Sequence, residues 1–411
     1  MKVILSGIAI GLSVMIVSCN SSASKSSKKV SIDSTRLPVE TKDPNTVYKP
    51  AFAGQTRIAG VKTSVPYEGK ILSEGLDRPW GITSLTDGRF LITQKEGTMR
   101  IATPDGKLGE AITGLPKVNS AGQGGLLGVT IDPSFINNRM VYWTFSEAQP
   151  GEKNLTAVAK GKLSADEKTI ENAQVIYRAT PAFKSNAHYG GRILFDKTGN
   201  IIFSTGERSI LESRPQAQYL NSSLGKVIRI TTDGKAAPGN PFEGNADARP
   251  ELYSYGHRNV QGLAFNPVTG DLWETEFGPR GGDEVNLIRP GKNYGWPIIT
   301  YGIEYAGPKI GEGIQQKEGM EQPIYYYDPV ISPSGITFYS GNAIPEWKNN
   351  LFIASLSGMH IARLVIKNNR VVGEERLLAG ESQRFRDITQ GKDGALYAVT
   401  DQGRLYRLGK K

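Results

Sequence analysis

From residue 81 onward the chain repeats one pattern: a short apolar or alternating run, a turn built from Asp, Gly, Pro or Asn, and a second run. The copies are GITSLTDGRFLIT from Gly81, GVTIDPSFINNRMVYWTF from Gly128, GRILFDKTGNIIFST from Gly191, GLAFNPVTGDLWETE from Gly262, GITFYSGNAIPEWKNNLFIAS from Gly335 and DITQGKDGALYAVTD from Asp387. Period-two runs bounded by such turns predict strand pairs. Helical periodicity never persists for more than a few turns. A glycine at the entrance of five units allows close approach near an axis, so each pair is expected to be the inner half of a four-stranded blade. Six units over about 330 residues exceed a single β-sandwich. The expected fold is all-β: a six-bladed β-propeller of four-stranded antiparallel blades over residues 51–411. Its spacings are irregular, and the longer ones place insertions on one face of the ring.

The N-terminus departs from this pattern. Lys2 precedes an apolar run from Val3 to Val17, too short to span a bilayer, which ends in Ile16-Val17-Ser18-Cys19. Residues 1–18 read as a lipoprotein signal peptide. Cys19, the only cysteine, is the expected site of lipidation, and an intrachain disulfide is impossible. Residues 19–50, rich in Ser, Lys and Thr and nearly free of large apolar side chains, read as a flexible tether.

Composition adds two points. Hydrophobic residues at 38%, 48 glycines and 23 prolines suit a turn-rich β-protein. The formal charge of +9 is partly the tether's, with six basic against three acidic residues, and no basic run is interleaved with aromatics. Nucleic-acid binding is not indicated; a basic tether suits an anionic membrane surface. The protein is expected to meet the membrane only through its lipid anchor, with the propeller in the periplasm or outside the cell.

Candidate chemistry is sparse. There is no GxSxG, and three histidines cannot build a His-rich zinc site, so any metal must be held by oxygen. The densest acidic and glycine-rich stretch, EFGPRGGDEVNLIRPGKNYGWP (276–297), offers carboxylates and accessible carbonyls of the kind Ca²⁺ prefers, although ordinary surface acids on a structured loop explain it equally well. Arg384 and Arg386 flank Phe385, so a strand there puts both guanidinium groups on one face, where they need an anion or solvent. His257 in GHRN reads as structural. His188, in SNAHYGGRILF, stands at a strand entrance; locally it reads as a hydrogen-bonded structural histidine.

Taken together, GQGGLLG (122–128), HYGGR (188–192), LGKVIRI (224–230), YGHRNVQGLAFNP (255–267), EFGPRGGDEVNLI (276–288), GKNYGWP (291–297) and RFRDI (384–388) resemble the soluble pyrroloquinoline quinone (PQQ)-dependent aldose sugar dehydrogenases. The resemblance covers roughly residues 68–408, and that family is built on a six-bladed propeller. It implies that His188 is the general base taking the proton of the anomeric hydroxyl while hydride passes to C5 of PQQ. It implies cofactor contacts from Gln123, Arg258, Asn259, Tyr305, Arg384 and Arg386. It also implies Ca²⁺ held by the carbonyls of Gly278 and Pro279, with a further calcium at Glu284 and Tyr294. Two positions depart from the family pattern. Ala187 stands where the glucose-oxidising branch has an acid before the histidine, and Ser357 occupies the place of a cofactor-binding lysine. The function so implied is oxidation of the C1 hydroxyl of aldoses to lactones, with electrons passed to an external acceptor. A non-catalytic propeller binding glycan or protein, and a Ca²⁺-dependent lactonase-like hydrolase, are the alternatives.

Overall fold

The structure, a computed structural model, describes residues 36–411; the signal peptide, Cys19 and the first part of the tether lie outside the described residues. Six antiparallel sheets form the blades of a propeller. The inner strands are Pro79–Ser84, Leu126–Ile131, Gly190–Phe195, Val260–Phe265, Pro333–Phe338 and Phe385–Gln390, numbered here as blades 1 to 6. Each pairs with the second strand of its own predicted unit, so all six inner hairpins fall where the sequence pattern puts them. Five blades have four paired strands. In blade 1 the outermost place is held by two isolated bridges, Met99 to Ile112 and Ala102 to Leu108. Among the described residues helix is limited to one turn at Phe135–Asn138 and a few short 3₁₀ turns.

The ring closes by joining the two ends of the described chain. Tyr67–Ser73 is the outermost strand of blade 6 and pairs antiparallel with Leu405–Lys410, with Ile71 opposite Tyr406. Core residues lie between blades, one apolar cluster for each of the six neighbouring pairs. Trp143 and Phe145 fill the space between blades 1 and 2, and Trp273 meets Phe338 edge-on between blades 4 and 5. The sheets twist, so such large side chains are needed to fill the wedge that widens toward the rim.

At the axis the opposite rule holds, because inner strands must approach closely. A β-carbon on Gly128 would run into the carbonyl of Gly191 on the next inner strand, and one on Gly335 would run into Asp387. Blade 6 thus departs from the glycine rule by carrying Asp387 at the equivalent place. Asp387 accepts hydrogen bonds from the amides of Ile82 and Ile388 and pairs with Arg192 Nη1 at 2.5 Å. Arg192 belongs to blade 3, which faces blade 6 in a ring of six, so the pair crosses the axis. Its Nε donates to the Gln261 carbonyl, and its guanidinium covers the Trp80 ring at 4.5 Å. Burial pushes the Asp387 carboxyl up and the Arg192 guanidinium down, so the two hold each other's charge at some cost.

The tether assignment needs correction at its C-terminal end. Residues 36–50 pack on blades 4 and 5 instead of trailing free. Asp328 accepts hydrogen bonds from the amides of Asn45 and Thr46 and from the Thr46 hydroxyl. Glu40 pairs with Arg376 at 2.8 Å, and Pro38 bridges Ala59. Polar long-range contacts order a stretch whose own composition cannot.

Breaking the axial pair should cost more than any surface pair. Asp387→Asn and Arg192→Met are each expected to destabilise the protein by about 3–5 kcal/mol in denaturant titrations, because each strands a buried partner. The double variant is expected to lose less than the sum.

Candidate functional site

Antiparallel blades place three kinds of chain segment at the same end of the ring: the entrance of each inner strand, the end of each second strand and the start of each third. Gln123, His188, Arg258, Asn259 and Arg384 are entrance residues. Lys95, Glu207, Phe277, Leu356 and Asp401 follow second strands. Chemistry therefore collects at one mouth of the propeller.

A cavity of about 300 Å³ opens there. Its wall includes Arg78, Lys95, Arg384 and Arg386 against one carboxylate, Asp401, with Gln123, Trp80 and Gln261 between them. The anion required by the paired arginines is partly internal: Asp401 accepts from Arg384 Nε at 2.9 Å and from Arg386 at 2.8 and 3.1 Å. Arg78 pairs with Glu96 and Asp77, so Asp401 alone stands against Arg384, Arg386 and Lys95, and the cavity keeps a positive excess. Burial lowers the Lys95 pKa, and Arg78 lowers it further.

His188 sits behind the Tyr189–Gly190 stretch of this wall. It is 5% exposed and adopts a left-handed backbone conformation, φ 48°. Its amide donates to Gln123 Oε1 at 2.8 Å, and its Nδ1–H donates to Glu207 Oε1 at 2.5 Å. A carboxylate at Nδ1 fixes the tautomer, leaving Nε2 as the free base, with no protein partner among the described residues. This answers the question raised by Ala187: the orienting acid comes from the second strand of the same hairpin. Thr205 pairs with Gly190, so two residues further on Glu207 lies opposite His188. Burial lowers the His188 pKa to about 4, Arg258 acting in the same direction and Glu207 opposing. The imidazole is neutral across the physiological range.

Asn259 is fully buried; its Oδ1 accepts from the Gly190 amide at 2.9 Å, and its Nδ2 has no partner. Arg258 donates through Nη1 to the carbonyls of Phe277 and Gly278, at 2.9 and 2.7 Å, and its Nε is also buried without an acceptor. Trp296 lies between two guanidinium groups, Arg258 at 5.1 Å and Arg214 at 5.3 Å. Buried donors without acceptors are costly; Asn259 is bonded to Gly190 and Arg258 to Phe277, both in the wall of the basic cavity, so the arrangement behind that wall fits an anionic, oxygen-rich group.

Phe277 joins this cavity to a niche of about 10 Å³, room for one small ion or water, lined by Glu276, Gly278, Pro279, Glu284 and Tyr294. Glu276 and Glu284 are cross-strand partners, and Glu274 and Asn286 are the next pair. Burial and repulsion from Glu276 raise the pKa of both Glu274 and Glu284, while Glu274 Oε2 and Asn286 Oδ1 are buried acceptors without donors. Such a donor set fits a hard divalent cation. The Gly278 carbonyl is engaged by Arg258, as given above, and Pro279 O accepts from the Gly282 amide at 3.3 Å. His257 Nε2 is 2.8 Å from the Ser254 hydroxyl, Nδ1 faces Glu276 at 3.3 Å, and the ring stacks on Tyr294; with Glu274 and Glu276 it offers ligand atoms within 4.8 Å of one another.

Of the expected cofactor contacts, Gln123, Arg384 and Arg386 line the cavity, Arg258 lines the niche, Asn259 is buried behind both, and two are carried away from the site. Tyr305 is 68% exposed, on a turn between the bridged residues Ile303 and Lys309, and lines neither the cavity nor the niche. Ser357 is exposed and hydrogen-bonded to Ser332 at 2.8 Å, while its neighbour Leu356 lines the cavity. Sequence reading missed Trp80, Lys95, Glu207 and Asp401. Asp401 closes the sixth repeat unit, so reading the last residue of each unit with the entrance residue would have found it.

Known proteins give this geometry a class, that of sugar-oxidising propellers. Residues 76–407 match the family model described as Glucose / Sorbosone dehydrogenase, and the chain belongs to that family, the soluble PQQ-dependent sugar dehydrogenases. It is similar to aldose sugar dehydrogenase YliI of Escherichia coli (strain K12), 38% identical over 335 residues covering 81% of this chain and 90% of that one. It is also similar to a crystal structure of glucose dehydrogenase at 42% identity and TM-score 0.80, over 84% of this chain and 99% of that one. The PQQ-bound form of aldose sugar dehydrogenase from Streptomyces coelicolor superposes with TM-score 0.70 at 28% identity, over 85% of this chain and 99% of that one.

Burial also lowers the pKa of His360, to about 4; its Nδ1 donates to the Gly358 carbonyl and its Nε2 is buried without a partner. The unfolded chain protonates its histidines near about 6.5. His188 and His360 therefore contribute stability that is present above about pH 6.5 and lost as pH falls toward 4. Melting temperature is expected to fall through this window, and His360→Gln is expected to flatten the slope.

Proposed function

We propose that the protein oxidises the C1 hydroxyl of aldoses to lactones with PQQ and Ca²⁺ and passes the electrons to an external acceptor. The observation that carries the reading is the His188–Glu207 pair beside a basic cavity, with Arg258 and Asn259 behind its wall keeping buried donors that lack acceptors. PQQ, an ortho-quinone with three carboxylates, supplies the hydride acceptor when bound, and Ca²⁺ polarises its carbonyl. The remaining roles belong to the chain. Arg384, Arg386, Arg258, Asn259 and Gln123 hold the cofactor, and the guanidinium groups balance its carboxylates. Tyr305 and Ser357, which line neither the cavity nor the niche, stand outside this set. Gly278, Pro279, Glu284 and Tyr294 supply oxygen ligands for calcium.

Oxidation to the lactone removes a hydride and a proton from the sugar. The neutral His188 takes the hydroxyl proton at Nε2, and Glu207 holds Nδ1–H and stabilises the imidazolium that results. The lactonase-like alternative requires free carboxylates on the inner strands, and the carboxylate at the axis, Asp387, is occupied by Arg192.

Purified protein supplied with PQQ and Ca²⁺ should reduce an artificial electron acceptor in the presence of aldoses and lose activity on chelation. His188→Ala should lower kcat by about 10²–10⁴-fold. Glu207→Gln should lower kcat at least about tenfold with little change in KM, because it removes the partner that fixes the tautomer. Undiminished turnover in His188→Ala would sink the assignment of the base. PQQ binding without aldose turnover would favour a binding propeller.

No helix among the described residues is long and apolar enough to cross a membrane. The proposed attachment is a lipid on Cys19, with the propeller in the periplasm or outside the cell. Cys19→Ser should move the protein from the membrane to the soluble fraction on cell fractionation.

A further inference from the structure

Arg208 follows the carboxylate that holds His188, and nothing so far accounts for it. It is 1% exposed, with φ 77°. Its guanidinium covers the Tyr189 ring at 3.6 Å. Nη2 donates to Asn154 Oδ1 at 2.6 Å and to the Ser185 carbonyl, while the Ser185 hydroxyl donates to the Arg208 carbonyl. Nε and Nη1 are buried without acceptors, and among the described residues no carboxylate forms an ion pair with this arginine, Glu207 acting on it only at longer range. A buried, incompletely bonded cation is expensive, so its place needs a reason beyond packing.

The reason lies in what it grips. Arg208 binds Ser185, three residues before His188, and Tyr189, the residue after it, and Asn154 extends the grip. Asn154 Oδ1 also accepts from Tyr189 Oη at 2.8 Å, and its Nδ2 donates to Asn186 Oδ1 at 3.2 Å. The left-handed backbone of His188 is a strained conformation that survives only where its surroundings fix it. Glu207 is held from the same side: its Oε1 accepts from the Ser209 amide at 3.0 Å as well as from His188.

Resting on the proposed role of His188 as base, we propose that Arg208 is a positioning residue for that base. Its planar fork locks the turn 185–189 through Ser185, Asn154 and the Tyr189 ring, and so fixes the seat of the imidazole. The charged groups acting on His188 are Arg258, Glu207 and Arg208. The first comes from the entrance of blade 4 and the other two from the loop after the second strand of blade 3. Arg208 favours the neutral imidazole, as does burial.

The test uses the full chain in two measurements. One is the NMR titration of the His188 ring in cofactor-free protein, which does not depend on turnover; the other is kcat and KM for an aldose with PQQ and Ca²⁺. Arg208→Met should move the His188 midpoint upward and lower kcat at least about tenfold with KM nearly unchanged. Arg208→Lys should keep the midpoint near that of the natural protein and recover part of kcat, since charge returns without the fork. A His188 midpoint unmoved in Arg208→Met, or moved equally in Arg208→Lys, overturns the proposal. If Arg208→Met does not fold, Arg208→Gln gives the same two readouts. Absence of dehydrogenase activity in the natural protein counts against the proposed function alone, because the titration still decides the role of Arg208.

Discussion

The ring depends on a crowded axis. Six inner strands converge where only glycine leaves enough room, and five of them supply it. The sixth supplies Asp387, whose carboxylate ties down two amides and the guanidinium reaching across from blade 3. Neither charge favours this burial by itself, yet together they fill the channel with a directional contact that apolar side chains could not provide. Arg192 also lies against Trp80, part of the cavity wall. The closure of the axis and the floor of the site are one piece of structure.

Above that floor, each functional cation is held by a protein group that leaves part of its bonding capacity unused. Asp401 divides itself between Arg384 and Arg386, and Arg258 is steered by two carbonyls while its Nε has no acceptor. Such groups are pre-oriented, so little reorganisation remains for binding an anionic partner. The niche beside them has the opposite character. There carboxylates crowd one another until burial and repulsion push their protons on, which is the electrostatic complement of a cation. A basic cavity and an acidic niche meeting at Phe277 suit a cofactor and a metal that bind side by side.

Much of this could be read from the sequence because each inner hairpin carries its own local signature of glycine, alternation and turn. Entrance residues such as His188 and Arg384 are marked by the same signature. Their partners are not. Glu207 and Asp401 lie at the far end of the hairpin, 19 and 17 residues from the groups they hold, and they become visible only once the strands are placed in register. Ala187 looked like the loss of an acid because the sequence was searched next to the histidine, whereas the acid comes from across the hairpin. Tyr305 and the stretch 36–50 show the same limit from other directions: a turn carries the first away from the cavity, and Asp328 and Arg376 order the second through contacts hundreds of residues distant.

That last contact sets the length of a leash. With residues from 36 onward fastened to blades 4 and 5, only the 16 residues between Cys19 and Arg36 remain between the proposed lipid site and the folded body. Fully extended, they reach at most roughly 55 Å, comparable to the width of a propeller of this size. A lipid on Cys19 would keep the blade 4–5 flank within that reach of the bilayer. An electron acceptor embedded in that membrane would then meet the cavity at a high effective concentration without any docking surface of its own.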